Sequence, residues 1–121
     1  GTMQSMTRQL VRSGSPFEAA IGFSRAVRIG NLVAVSGTAP IGPDGAVDPD
    51  PYVQTRRRLE IIKGALIEAG AGLTDVVRTR MFITELGISA AVGRAHGEVF
   101  GEIRPAATMV VVTYWMTRQN D

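Results

Sequence analysis

A tight turn between two apolar segments is the strongest restriction that this sequence places on its own fold. Gly30-Asn31 separates residues 27–29 from residues 32–36. Glycine and asparagine accept the positive φ values that two-residue hairpin loops require, so the segment predicts a β-hairpin. Gly37 ends the second strand, and we expect a positive φ or a close backbone approach there.

Alternation of residue types predicts further strands on either side of this hairpin. A short strand is expected around Leu10 and Val11. Residues 77–83 alternate between an apolar and a largely charged face, which is the pattern of a strand with one buried face. The run from Thr108 to Tyr114 is apolar on both faces, which predicts a strand that is buried on both sides.

One segment after the hairpin shows the spacing of an amphipathic helix. Its apolar residues recur at intervals of three and four, and Gly70 or Gly72 is expected to end the helix. The predicted inward stripe comprises Leu59, Ile62, Leu66 and Ala69.

A second helix is expected from Ser89, acting as the N-cap, to Phe100. Gly93 and Gly97 weaken such a helix by about 1 kcal/mol each relative to alanine, so we expect them to permit close packing. The predicted inward residues are Val92, His96, Val99 and Phe100.

The resulting order of elements, β-β-β-α-β-α-β, predicts an α+β fold with two helices on one face of a mixed sheet. In a chain of 121 residues, a second copy of the chain is the simplest cover for the other face. We predict a single domain over residues 1–121. Residues 1–5 are expected to be a tag or a disordered start, and residues 114–121 an atypical C-terminal tail.

Composition excludes several classes of protein. The chain has no cysteine, so disulfides, thiolate metal sites and cysteine nucleophiles are absent. His96 is the single histidine, and we expect no metal site. The net charge is only +2 and the basic run at residues 56–58 fans out around a helix, so no nucleic-acid partner is expected. No apolar run reaches the roughly 20 residues that span a bilayer; we expect no membrane partner and a cytoplasmic location.

Five segments together resemble the Rid (YjgF-like) family, in the family's order and spacing. They are residues 25–37, 54–56, 69–71, 75–79 and 100–106. The resemblance implies a chorismate-mutase-like β-sheet with two helices packed on one face, assembled as a homotrimer with ligand clefts between subunits. It also implies hydrolysis of reactive imines and enamines, such as 2-aminoacrylate, to ketoacids and ammonia without a cofactor. The implied partners are the chain itself and a small-molecule metabolite.

The resemblance also places candidate ligand-binding residues, several of which depart from the family pattern. Ala107 stands where the deaminating members have an arginine that holds the substrate carboxylate, and Met109 stands at their cysteine. Phe23 replaces a tyrosine and Gly93 an asparagine. The family's glutamate near the chain end has no counterpart, and the tail after Thr113 departs from the family's ending through truncation, a shifted reading frame or divergence. The candidate ligand-binding set is Phe23, Arg25, Ser36, Gly37, Gly93, Arg104, Ala107, Thr108 and Met109.

The missing arginine weakens the expectation of ordinary deamination. A charged hydrogen bond to a carboxylate contributes about 1.5–3 kcal/mol, so we expect inefficient hydrolysis of small amino-acid-derived imines. Arg104 and Arg25 are each candidates to replace the lost charge, or else surface arginines. His96 is a candidate base, a role that would need an orienting partner such as Glu98 or Glu102, or else a helix-packing residue.

Three functions therefore stay open at this point. The chain is a divergent imine or enamine hydrolase of altered substrate range, a trimer that binds a small metabolite without turnover, or an interaction protein with a vestigial site.

Overall fold

The computed structural model describes residues 7–113, which fall into two compact units. The first unit runs up to Thr38 and includes Ile61–Gly72; the second comprises Ala39–Glu60 and the chain from Leu73 onward. The elements are β1 (Arg8–Val11), β2 (Ala26–Ile29), β3 (Leu32–Val35), α1 (Pro51–Glu68), β4 (Arg78–Ile83), α2 (Ser89–Phe100) and β5 (Ala106–Val111). This order confirms the predicted α+β succession. The predicted start at residues 1–5 and tail at residues 114–121 lie outside the described residues.

The first unit is built on an antiparallel sheet in the order β1-β2-β3. The predicted hairpin is confirmed, with Arg28 opposite Val33 and Gly30 at a φ of 59° in the turn. Gly37 does not have a positive φ, so that alternative of the expectation was wrong. The chain leaves β3 without a left-handed residue, and the Gly37 carbonyl instead accepts a hydrogen bond from Arg25.

Small and β-branched side chains form the core of the first unit. Val11 is 2% exposed and Ala26 is 1% exposed. Both belong to one cluster with Ala65, in the second half of α1, and Ala69, which directly follows the helix. The two valines of β3 pack against the same cluster. Alanine lets the helix backbone approach the sheet closely, and each buried valine contributes roughly 1.5–3 kcal/mol.

The start of helix α1 is fixed by a side-chain cap. Asp50 Oδ1 accepts the backbone N–H groups of Tyr52 at 2.7 Å and Val53 at 3.2 Å, which would otherwise lack partners. Pro51 occupies the first helical position, where its missing N–H costs nothing. The helix therefore begins at Pro51, directly after its capping residue.

A glycine in the left-handed conformation ends helix α1, as predicted. Gly70 has a φ of 84°, and its N–H donates to the Ile67 carbonyl at 2.9 Å. The next N–H, of Ala71, donates to the Leu66 carbonyl at 2.8 Å. This pair of bonds is the Schellman motif. The predicted stripe is also confirmed: Leu59, Leu66 and Ala69 are buried and Ile62 is half-buried.

The second unit joins β4 and β5 as a parallel pair, with helix α2 between them in the chain. Helix α2 has the predicted bounds, but Ser89 is its first helical residue rather than its cap. Ser89 has a φ of −57° and ψ of −39°, and the N-cap residue is Ile88. The expectation that Gly93 and Gly97 permit close packing is also wrong, because a Cβ at either position would meet nothing within 4 Å.

Strand β4 has the predicted alternation, whereas β5 does not have the predicted burial. Ile83 is buried, and the arginines of β4 point to the exposed side. In the single chain β5 pairs only with β4 among the described strands, and Val110 and Val111 are 39% and 54% exposed. The expectation of a strand buried on both faces is therefore wrong for one chain, and its predicted end at Tyr114 lies outside the described residues.

Candidate functional site

Arg25 is the central charged residue among the candidates of the first unit. Its backbone N–H donates to the Val11 carbonyl at 2.9 Å, and its carbonyl accepts the Ser36 N–H at 3.0 Å. Its Nη2 donates to the Gly37 carbonyl at 2.5 Å. The structure thus brings together three of the predicted positions, Arg25, Ser36 and Gly37.

The guanidinium of Arg25 is incompletely satisfied. Its Nε is buried and has no hydrogen-bond partner within residues 7–113. Burial lowers the pKa of Arg25 from its usual value, and the charge of Glu18 acts in the opposite direction. The Glu18 carboxylate accepts both the N–H and the hydroxyl of Ser13, which lowers the pKa of Glu18.

Phe23 lies two residues before this arginine in the chain, and Ser36 is joined to it by a backbone hydrogen bond. Ser36 Oγ donates its proton to the Ser24 carbonyl at 2.6 Å, so toward a ligand this hydroxyl keeps only acceptor capacity. Phe23 follows a π-helical turn, Glu18–Gly22, that the sequence did not predict. The Phe23 side chain is 40% exposed.

The other candidates lie in the second unit, and strand β5 places three of them side by side. Ala107 lies in register with Thr79, and Met109 with Met81. The Thr108 hydroxyl accepts a hydrogen bond from Arg78 Nη2 at 2.5 Å. Within the described part of the chain, no hydrogen bond joins Gly93 or Arg104 to these β5 positions. Arg104 is an exposed residue with a φ of 56°, and its N–H donates to the Phe100 carbonyl at 2.8 Å.

His96 has a partner that the sequence analysis missed. Its Nε2 and Thr79 Oγ1 share a hydrogen bond of 2.8 Å, and its ring lies 4.8 Å from that of Phe100. Burial lowers the pKa of His96, which favours the neutral imidazole near pH 7. Because paired residues of neighbouring strands project to the same side, the Thr79 side chain that bonds His96 lies on the same side of the strand pair as Ala107, the position at which the resemblance implies an arginine in the deaminating members. Alternation along β4 showed which way Thr79 points, but no sequence signal links it to His96.

Glu98 was weighed as a partner for His96 but takes part in a different cluster. Its Oε1 accepts the Tyr52 hydroxyl and lies 3.1 Å from Arg56 Nη1. The guanidinium carbon of Arg94 lies 4.4 Å from the centre of the Tyr52 ring. The hydrogen bond to Glu98 raises the pKa of Tyr52. These exposed groups connect the start of α1 to α2, so the cluster is a surface contact between helices.

Neither a metal site nor a membrane span is indicated. Across residues 7–113, no set of three or more His, Cys, Asp or Glu side chains is grouped so that it could hold a metal ion. None of the described helices combines the length and apolar character needed to cross a bilayer.

Comparisons with known proteins agree with this fold. Residues 13–118 match the Endoribonuclease L-PSP family. The Streptomyces coelicolor protein SCO2049 is 40% identical over 111 residues, covering 91% of this chain and 83% of that protein. The Salmonella typhimurium protein named 2-iminobutanoate/2-iminopropanoate deaminase is 33% identical over 99 residues, covering 80% of this chain and 76% of the enzyme.

A solved structure shows the same arrangement of the chain. The crystal structure of Rv2704 from Mycobacterium tuberculosis is described as a member of the YjgF/YER057c/UK114 family. It superposes with a TM-score of 0.83 at 48% identity, covering 92% of this chain and 89% of that one. The matched family and these relatives establish that this chain belongs to the Endoribonuclease L-PSP family, the group of Rid or YjgF-like proteins.

Proposed function

We propose that this protein is a cofactor-independent hydrolase of an imine or enamine, with a substrate range that differs from that of the deaminating relatives. The site lies between subunits of a homotrimer. The observation that carries this proposal is that Ala107 of β5 lies in register with Thr79 of β4, whose side chain is hydrogen-bonded to His96 of α2. A site without the family arginine has room for a larger substrate or for one whose charge is held elsewhere.

The reaction requires one water and two proton transfers. The water oxygen bonds to the imine carbon and gives up one proton, while the C=N electron pair moves to nitrogen, which takes up a proton. The resulting carbinolamine then gives up its hydroxyl proton as the carbonyl forms, and the amine nitrogen takes up a proton as the C–N bond breaks and ammonia leaves. His96 is the proposed carrier of these protons, because a neutral imidazole near pH 7 can accept and return one.

Imines generated in solution by an amino-acid oxidase test the proposed activity directly. We expect the wild-type protein to accelerate ammonia release from the imines of large apolar amino acids more than from 2-iminobutanoate. His96→Gln keeps a hydrogen-bonding group for Thr79 but cannot titrate, so we expect a loss of about 10²–10⁴-fold in rate. Equal rates for wild type and His96→Gln would remove His96 from the mechanism.

Placing an arginine at position 107 tests directly whether the residue there decides which substrates are bound. We expect Ala107→Arg to raise turnover of 2-iminobutanoate by about tenfold or more, because a guanidinium binds the substrate carboxylate. Ala107→Met is the matched control, since it adds similar length without charge. If no imine is turned over by any of these proteins yet ligands bind, the chain is a binding trimer rather than an enzyme, which is the alternative that the missing arginine and glutamate favour.

A further inference from the structure

The guanidinium of Arg25 forms no ion pair with any residue between 7 and 113. No carboxylate among residues 7–113 lies within ion-pair distance of it, and the Gly37 carbonyl is the acceptor that its side chain binds. A guanidinium carries five N–H donors. Keeping such a group half-buried without an anion costs free energy, so its presence calls for an explanation.

Glu18 does not supply that anion. Its charge acts on Arg25, but its carboxylate is hydrogen-bonded to the N–H and hydroxyl of Ser13. The acid is therefore held at the turn before the π-helical segment, while the guanidinium is held at the end of β3 by Gly37.

The arginine is also fixed in place before any ligand arrives. Hydrogen bonds from its backbone to Val11 and Ser36 anchor it between β1 and the end of β3. Groups whose position is set by the fold bind a ligand with a smaller loss of conformational entropy.

Apolar side chains stand exposed on the segment that leads into Arg25. Phe17, Ile21 and Phe23 are 38%, 72% and 40% exposed. Large apolar groups beside an unpaired cation suit a ligand that carries both an anion and a hydrocarbon portion.

We infer that Arg25 is the anion-binding residue of this chain and that its ligand is a small carboxylate with an apolar side chain. The assignment deepens the proposed function and rests on it: Arg25 is the residue that holds the anion of the substrate.

A pair of ligands that differ only in charge tests the inference. Hydrolysis of 2-iminobutanoate yields 2-oxobutanoate, whose methyl ester is the uncharged counterpart. Calorimetric titration of wild type and Arg25→Met with both compounds separates recognition of the anion from recognition of the hydrocarbon. We expect Arg25→Met to bind 2-oxobutanoate about ten- to hundredfold more weakly and to bind the ester as wild type does.

Arg12→Met is the matched control, because it removes the same charge from an exposed position of the same unit. We expect it to leave the affinity for 2-oxobutanoate unchanged. A similar loss in Arg12→Met would mean that net charge, and not Arg25, attracts the anion, and the inference would be overturned.

The outcomes separate this inference from the proposed function. If wild type and Arg25→Met bind 2-oxobutanoate equally, a ligand site exists but Arg25 does not hold the anion. If wild type binds neither compound, the inference fails, whereas the proposed function is decided separately by ammonia release from the imines of large apolar amino acids. Should Arg25→Met not fold, Arg25→Lys keeps a donor for the Gly37 carbonyl; we expect it to weaken binding of the anion about tenfold and leave the ester unaffected, because a lysine cannot bind a carboxylate bidentately.

Discussion

Individual side chains in this protein occupy positions that ordinary residue preferences disfavour. Arg104 has a φ of 56° in the turn that follows α2, although non-glycine residues rarely adopt this conformation. The bond from its N–H to the Phe100 carbonyl holds it there, immediately before Pro105. The turn requires a left-handed backbone conformation at this position, so Arg104 has a structural role whatever its side chain binds.

Substitutions at position 104 are expected to change stability according to how well the new residue tolerates a positive φ. Arg104→Val should lower the free energy of unfolding by about 1–2 kcal/mol, because a β-branched residue fits the left-handed region poorly. Arg104→Asn should lie within about 0.5 kcal/mol of wild type, since asparagine tolerates this conformation. Urea denaturation measures both. Arg80→Val, on strand β4, is the control for loss of an arginine and should not destabilise; equal effects at both positions would contradict the explanation.

His96 predicts a dependence of stability on pH. Burial lowers its pKa in the folded protein, so protons bind the unfolded state first as the pH falls. The contribution of neutral His96 to the free energy of unfolding is fully present above the unfolded-state pKa of about 6.5. It is lost as the pH falls from there toward the lower pKa of the folded state. Denaturation midpoints between pH 7.5 and pH 5 should therefore decline more steeply in wild type than in His96→Gln, and parallel curves would disprove the role of this histidine.

Helix α1 shows how local sequence rules specify a whole element. Asp50 and Pro51 begin it and Gly70 ends it, each by a local rule of backbone chemistry, and of these the sequence analysis predicted the end. The hairpin and the order of the strands were likewise predictable from turn residues and periodicity. Ser89 was misjudged because a serine before an apolar run fits either side of a helix start, and only the backbone angles decide between them.

Two glycines of the α1 region should respond to alanine with opposite signs. Gly64 lies inside the helix with open space around it, so Gly64→Ala should stabilise the protein by about 1 kcal/mol. Gly70→Ala should destabilise it by about 1–2 kcal/mol, because a Cβ is strained at a φ of 84° and meets Arg28 Nη1 at 3.0 Å. Thermal unfolding of the two variants is the measurement, and a shared sign would contradict the Schellman assignment.

The whole molecule, taken as one chain, leaves apolar surface uncovered. Val111 is 54% exposed on β5, and Leu32 is 64% exposed in the hairpin. Alternation along a strand predicts which residues share a face, but only a partner decides whether that face is buried. The sequence could likewise name candidate site residues but not their contacts: the bond between His96 and Thr79 joins residues of α2 and β4, and no local pattern encodes it.

Self-association is the expected consequence of this uncovered surface. Sedimentation analysis of the wild type should give a species of three chains. Val111→Lys should shift the distribution toward single chains, because a charge in a buried sheet interface is strongly unfavourable. Ile67→Lys is the control, since Ile67 is 59% exposed on helix α1. A monomeric wild type, or an unchanged trimer for Val111→Lys, would disagree with the proposed assembly.

The side chain of Arg28 ties together two places that are distant along the chain. Its Nε donates to the Gly30 carbonyl at 3.1 Å, and its Nη1 donates to the Ala69 carbonyl at 2.8 Å. The second bond forms only after the hairpin has met the end of α1, since 41 residues separate its partners. The last turn of α1 is consequently braced from the sheet, and its amide hydrogens should exchange with solvent when the first unit opens as a body and not when the helix end frays.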